Sequence, residues 1–142
     1  MILVDVNLLI YATSERARYH REARIWWEAQ LNGSSRIALP WASLLAYLRI
    51  TTNRRAFAGA LSMEQAWAQL NEWLACDPVW IPQPTDRHSS VLGSLCAQAG
   101  VHGDLVSDAH LAALAIEHGL TLCSTDGDFA RFRELKWVNP LG

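Results

Sequence analysis

The sequence is poor in cysteine. Cys76, Cys96 and Cys123 stand far apart, with no CxxC pair among them. So odd and scattered a set argues against a disulfide framework and a zinc site, leaving three thiols as small apolar fillers. Long apolar runs are also missing, and none approaches the roughly 20 residues of a membrane-spanning helix. The opening Met1-Ile2-Leu3-Val4 has no basic stretch ahead of it, so a signal peptide is not expected and a cytoplasmic protein away from membranes is. Excess positive charge is lacking: the formal net charge is −2, so no chain-wide field attracts nucleic acid. Lysine is nearly absent, Lys136 standing alone among 12 Lys and Arg. Arginine is the better bidentate phosphate partner, although genomic base composition produces the same bias. There is no repeat, low-complexity tract or linker.

What remains is a compact pattern. With 142 residues, 51% of them hydrophobic, the chain suits one domain spanning 1–142 with a sizeable core. Residues 1–4 read as a buried strand. Ala23, Trp26, Trp27 and Gln30 lie at helical spacing within 18–31, and Asn32-Gly33 ends that helix. Ile37-Ala38-Leu39 is a second strand, followed by Pro40 at a helix N1 position and an apolar stripe of Trp41, Leu44, Leu45 and Leu48. Ser62 and Gln65 form a capping box for a helix running through Leu74. Val79-Trp80-Ile81 is a third strand, and Thr85 is expected to cap a helix reaching about Ala99. Residues 101–108 read as a loop entering a thin helix of Ala109, Ala112, Ala113 and Ala115, ended by Gly119. Leu120–Cys123 is a fourth strand, 126–132 a turn and short helix, and Trp137-Val138 an edge strand. Helices alternating with short apolar strands indicate a three-layer α/β/α domain with a mostly parallel sheet.

Within this pattern, Asp residues distant in sequence sit at element ends. Asp5 closes the first strand, Asp108 opens the alanine-rich helix, and Asp126 and Asp128 follow the fourth strand. Carboxylates at the ends of parallel strands converge in one crevice. Hard oxygen ligands gathered there suit Mg²⁺ or Mn²⁺, and such an ion commonly serves phosphodiester hydrolysis. Each Asp also has an ordinary structural reading, since an Asp before a helix is a preferred N-cap. Asp5, after four apolar residues and before Val6, is the hardest to explain that way. The five histidines show no ligand spacing, and His110, two residues past Asp108, points away from it on a helix.

Three segments carry a family resemblance. Asp5-Val6-Asn7-Leu8-Leu9 resembles the DxN opening of PIN-domain ribonucleases. Leu105 to Ala115, with Asp108, resembles their central acidic helix. Leu122-Cys123-Ser124-Thr125-Asp126-Gly127-Asp128-Phe129 resembles their closing strand and turn. Order, spacing and length all agree over essentially the whole chain. Leu45-Ala46-Tyr47-Leu48-Arg49-Ile50-Thr51-Thr52-Asn53 is similar to a segment of VapC toxins from type II toxin–antitoxin pairs. The resemblance implies a Mg²⁺- or Mn²⁺-dependent endoribonuclease toxin that cuts tRNA or rRNA, is neutralised by a cognate VapB-like antitoxin, and forms a homodimer. It makes Asp5, Asp108 and Asp126 the catalytic metal ligands, with Asn7 and Thr125 orienting them from behind and Ser124 a weaker candidate for that role. Asp128 is a further metal candidate.

One departure stands out. Family members carry a Glu just before the xLR segment, where this chain has Ala46, and no acid lies between Glu28 and Glu64. Asp104, four residues before Asp108, is the acid best spaced to compensate as a metal ligand. The gap also motivates a second reading, a catalytically weakened PIN domain that binds RNA or a protein partner. A third, a dehalogenase-type phosphatase, fits the DxN opening but lacks that class's second Asp, where Asn7 stands, and a suitably placed Lys. Arg16, Arg18, Arg21 and Arg24, then Arg49, Arg54 and Arg55, then Arg131 and Arg133 are candidate RNA contacts. Most of the seven Trp should be core, with some lining a partner groove.

Overall fold

A computed structural model describes residues 1–142. The first strand, β1 (Ile2–Val4), is the centre of the molecule and its neighbours are all parallel to it. β2 (Ile37–Ala38) pairs on one side and β3 (Val79–Trp80) lies beyond it. β4 (Thr121–Cys123) pairs on the other side of β1 and carries β5 (Trp137–Val138) at its outer edge. The order β3-β2-β1-β4-β5 is parallel throughout, where the sequence indicated a mostly parallel sheet. Parallel strands need covered faces. Side chains alternate across a strand, and here Leu3 and Val4 enter different cores.

The Val4 face is covered by α1 (Val6–Thr13), α2 (His20–Leu31), α3 (Trp41–Thr51) and α4 (Met63–Leu74). Its core is aromatic: the Trp73 ring meets Tyr47 edge-on at 4.9 Å and Trp27 at 5.8 Å. The Leu3 face is covered by α5 (His88–Gln98) and α6 (Leu105–His118). The three layers expected from sequence are present.

Four local expectations change. α1 was not read from the sequence, because Val6 to Thr13 continues the apolar strand with no turn residue between; only the extended backbone of Asp5, its N-cap, marks the boundary. α6 begins at Leu105, so Asp108 lies in its first helical turn and not in a loop ahead of it. Thr85 is not the N-cap of α5, since Arg87 holds that position and the Thr85 hydroxyl donates to Glu117 at 2.6 Å. Pro40 is the N-cap of α3, one residue ahead of the N1 place expected for it. The Ser62–Gln65 capping box forms as read. Of the tryptophans, Trp27 and Trp73 are buried, Trp26, Trp80 and Trp137 half-buried, and Trp41 and Trp67 exposed.

Candidate active site

The chain runs from β1 through β2 to β3 in one direction, then returns to place β4 against the far side of β1. The carboxyl ends of β1 and β4 therefore flank the point where strand order reverses, the place where open α/β sheets form a ligand crevice. Val4 ends β1 and Asp5 follows it; Cys123 ends β4 and Ser124 follows it. The two strands are in register there, Val4 opposite Cys123, so Asp5 and Ser124 emerge side by side.

Ser124 is the hub. Its hydroxyl, wholly buried, donates to Asp5 Oδ2 at 2.7 Å and accepts from Asn7 Nδ2 and from the Asp126 backbone N–H, both at 3.0 Å. One donor and two acceptor sites are the full capacity of a hydroxyl. Asn7 Oδ1 accepts from the Thr125 N–H at 3.4 Å, so the β1 and β4 ends are tied twice. Asp5 Oδ1 accepts from the Val6 N–H at 2.8 Å. Burial raises the pKa of Asp5 and the Asp126 charge adds to that, while the donors from Ser124 and Val6 oppose it. Asp126 caps the 3-10 turn Gly127–Arg131, its Oδ1 accepting from the Asp128 N–H at 2.9 Å. The ordinary capping role and a place in the site thus coincide at Asp5 and Asp126.

Asp108 comes from the third direction. The alanines of α6, Ala109, Ala112, Ala113 and Ala115, are wholly buried, and their small size sets the helix close on the sheet. Its first turn then meets the β4 turn, and oxygens of Asp108, Asp126 and Asp128 lie within 4.8 Å of one another. The Asp108 pKa is raised to about 6, chiefly by burial, then by the charges of Asp126, Asp5 and Asp128, against a weaker opposing pull from Arg131. Like charges crowded in this way attract a hard cation. The donor set is oxygen only, which fits Mg²⁺ or Mn²⁺ and does not favour a soft metal. Asp5 and Asp108 together line a cleft of about 540 Å³.

Asp5, Asp108, Asp126 and Asp128 are therefore brought together, with Asn7 and Ser124 behind Asp5 and the Thr125 backbone fixed to Asn7. Asp104 is not gathered in. It is exposed at the N-cap of α6, makes no capping bond, and lies outside the cluster. Ala46 lines the same cleft as Asp5 and Asp108, on the α3 wall. The position read as the site of the missing Glu is thus at the cleft, with a methyl group in place of a carboxylate.

Ser124, a weak candidate from sequence alone, is central to the site, and its signal is its place directly after an apolar strand. Sequence reading also missed a second polar network at the far end of α6. The Glu117 side chain, fully out of solvent, accepts from Thr85 Oγ1 at 2.6 Å, from the Thr85 N–H at 2.9 Å and from His88 Nδ1 at 2.5 Å. His88 Nε2 and His110 Nδ1 share a further hydrogen bond of 3.1 Å. The spacing of His110 and Glu117, two helical turns apart, was the available signal.

A family model described as PIN domain matches residues 2–135. Ribonuclease VapC37 of Mycobacterium tuberculosis is 37% identical over 140 residues, 99% of this chain and 97% of its own length. Ribonuclease VapC33 of the same species is 39% identical over 141 residues, 99% of either chain. Among solved structures, VapBC2 from Rickettsia felis, bound to a DNA fragment from its promoter, aligns with a TM-score of 0.71 at 20% identity over 98% of each chain. Mycobacterium tuberculosis VapC20, a sarcin–ricin loop cleaving toxin, aligns at 0.69 and 18% identity over 96% of this chain and 99% of that one. At these identities the structural likeness speaks for the fold.

Proposed function

The chain belongs to the PIN-domain family, among its VapC ribonucleases, and from that premise we propose that it is a Mg²⁺- or Mn²⁺-dependent endoribonuclease toxin. Its substrate is cytoplasmic RNA, in the tRNA or rRNA class, and a cognate VapB-like antitoxin neutralises it. The observation that carries the chemistry is the crowding of Asp108, Asp126 and Asp128 beside Asp5, which the ion pair of Arg131 with Asp128 relieves only in part. Arg131 approaches Asp128 only at 3.6 Å and its guanidinium is shared with backbone carbonyls.

Asp5, Asp108 and Asp126 hold the ion in this reading, with Asp128 beside them. A bound divalent ion supplies Lewis acidity toward the phosphodiester and lowers the pKa of an attacking water. Ser124 and Asn7 fix the Asp5 carboxylate so that it does not rotate away, the usual contribution of residues behind metal ligands. No side-chain nucleophile is required, and Cys123, the nearest thiol, is buried with its pKa pushed up to about 11. EDTA is expected to abolish cleavage of a structured RNA and Mn²⁺ or Mg²⁺ to restore it. Robust cleavage in excess EDTA would sink the reading.

Partner binding has its own support. Ile25 on α2 and Met63 and Trp67 on α4 are 59%, 53% and 44% exposed. Between α1, α2 and α4 runs a groove of about 270 Å³. Apolar exposure beside a groove suits a protein partner. No helix is long and apolar enough to cross a membrane. The chain is expected to be poorly behaved alone, to self-associate, and to be well behaved when co-expressed with its antitoxin.

Ala46 favours a second reading, an RNA-binding PIN domain with weak cleavage. The two readings separate on Ala46→Glu, which adds a carboxylate to the cleft wall. A large gain in cleavage with tighter metal dependence supports the weakened form; little change supports a complete site built from Asp5, Asp108, Asp126 and Asp128.

A further inference from the structure

The wall of the cleft opposite the acids is unlike the acids. It is formed by α3, through Ala42, Leu45, Ala46, Arg49 and Ile50. None of these side chains can ligate a cation, and Arg49 repels one. Trp41, Leu45 and Arg49 follow one another at i, i+4 and i+8, so they share a face. Trp41 is 38% exposed and Leu45 57% exposed, with Arg49 exposed beyond them. Arg49 takes part in none of the three ion pairs of the chain. Arg54 and Arg55 follow, also exposed. Residues 29–63 contain Arg36, Arg49, Arg54 and Arg55 and no Asp or Glu, in a chain whose net charge is −2.

An exposed aromatic, an apolar platform and an unpaired guanidinium in line are the elements of a single-stranded nucleic-acid site, where bases stack and phosphates meet cations. Resting on the endoribonuclease reading, we propose that this face of α3 is the track that holds the single-stranded RNA next to the scissile phosphate. Trp41 stacks on a base, Leu45 and Ala46 form the floor beneath the adjoining nucleotide, and Arg49, with Arg54 and Arg55, takes the phosphates. The face is about 12 Å long from Trp41 to Arg49 at the rise of an α-helix, and its Leu45–Arg49 part opens directly on Asp5 and Asp108. The methyl of Ala46 belongs to this design. A carboxylate there would set a negative charge among groups that receive a polyanion. The acid-free stretch of sequence thus marks a binding wall, while the acids on the opposite wall do the ligation.

The test measures RNA binding in Mg²⁺ in the Asp126→Asn background, so that the strand is not cut, by anisotropy of a labelled single-stranded oligoribonucleotide. Trp41→Ala should raise Kd about tenfold, the usual effect of losing one base–aromatic stack, and Trp41→Phe should restore much of it. Arg49→Gln should weaken binding and lower the slope of log Kd against log salt by about 0.7. Lys136→Gln, an exposed cation in none of the chain's ion pairs, should change neither. Unaltered Kd in Trp41→Ala and Arg49→Gln overturns the track, even if the unmutated chain cleaves RNA. Loss of binding in both variants, beside an unmutated chain that cleaves nothing with Mn²⁺, leaves the track standing and removes the cleavage reading. Sedimentation of the same variants covers the other occupant: a dimer that becomes monomeric in Trp41→Ala with Kd unchanged makes this face a contact between copies and overturns the proposal.

Discussion

The two ends of α6 carry acids in opposite conditions. Asp108, in the first turn, faces Asp126, Asp5 and Asp128, and its pKa is raised to about 6. Glu117, in the last turn, is buried as well, and burial alone would raise it. Donors from Thr85 and His88 outweigh that and bring its pKa below the ordinary value. Both are carboxylates on one helix, half-buried by residue, each next to titratable neighbours. The difference is whether the chain itself supplies the compensating protons and charge. At Glu117 it does, so this network ties α5 to α6. At Asp108 it supplies only the weaker pull of Arg131, and in the proposed reading a divalent ion provides the rest. Buried charge alone would have flagged both places; the partner inventory separates a fastening from a site.

The largest expected effect tests the open end. Asp126→Asn removes a ligand and a charge together, and loss of several kcal/mol of metal-assisted stabilisation corresponds to a fall in cleavage rate of about a thousandfold or more. The protein should remain folded, because an Asn still accepts the Asp128 N–H. Cleavage within tenfold of the unmutated rate would remove Asp126 from the machinery.

Glu117→Gln tests the closed end. It leaves His88 and Thr85 with a weaker acceptor and is expected to destabilise the fold by about 2 kcal/mol, the usual scale for disrupting buried hydrogen bonds to a charged group. Because the Glu117 pKa is lowered in the fold, its contribution is present above the ordinary value of 4.5 and fades as pH falls through the folded value. The melting temperatures of Glu117→Gln and the unmutated chain should therefore converge in acid. A constant gap across pH would show that the ionised form is not what matters.

Ser124→Ala comes next. The hydroxyl touches no ion in this reading, so its removal should weaken metal affinity by about 10–100-fold, with cleavage recovered at high Mn²⁺. Failure of high metal to rescue would mean that Ser124 does more than hold Asp5.

The smallest effect has the most diagnostic sign. A carboxyl whose folded pKa is raised holds its proton more tightly when folded, so stability declines as pH rises from 3.8 toward about 6 and the penalty stays above that. Asp108→Asn should thus stabilise the metal-free protein at neutral pH by about 1 kcal/mol, after allowance for solvent screening of a half-exposed group. It should make no difference near pH 4, and it should abolish the stabilisation that Mn²⁺ gives the unmutated chain. Equal melting at neutral pH would show that the acids are not in conflict.

The motifs at both strand ends were legible because they are local. Val4-Asp5, Ser124-Thr125-Asp126 and the alanine spacing around Asp108 are short-range patterns of strand end, turn and thin helix. The capping box at Ser62 was readable for the same reason. α1 was not, because an apolar helix following an apolar strand leaves no change of composition at the joint. The start of α6 is misplaced from sequence because Val106 and Ser107 are weak helix formers and Gly103 lies just ahead, so packing on the sheet decides. Asp104 shows the limit from the other side. Its spacing from Asp108 is right for a shared face, yet it stands in the cap, exposed and apart from the cluster.

By itself the sequence determined the alternation of strands and helices, the residue types at strand ends, and hence a three-layer fold with an acidic crevice. These follow from periodicities of two and 3.6 residues and from side-chain chemistry, which are written in neighbouring positions. Only the tertiary structure decided which acids share a cavity and which find partners. Strand order brings Asp5 to Ser124 across more than a hundred residues, and helix packing sends Asp108 to a cluster of acids and Glu117 to His88. Such distinctions depend on distances between groups remote in sequence, and electrostatic energy falls with distance in space, not along the chain.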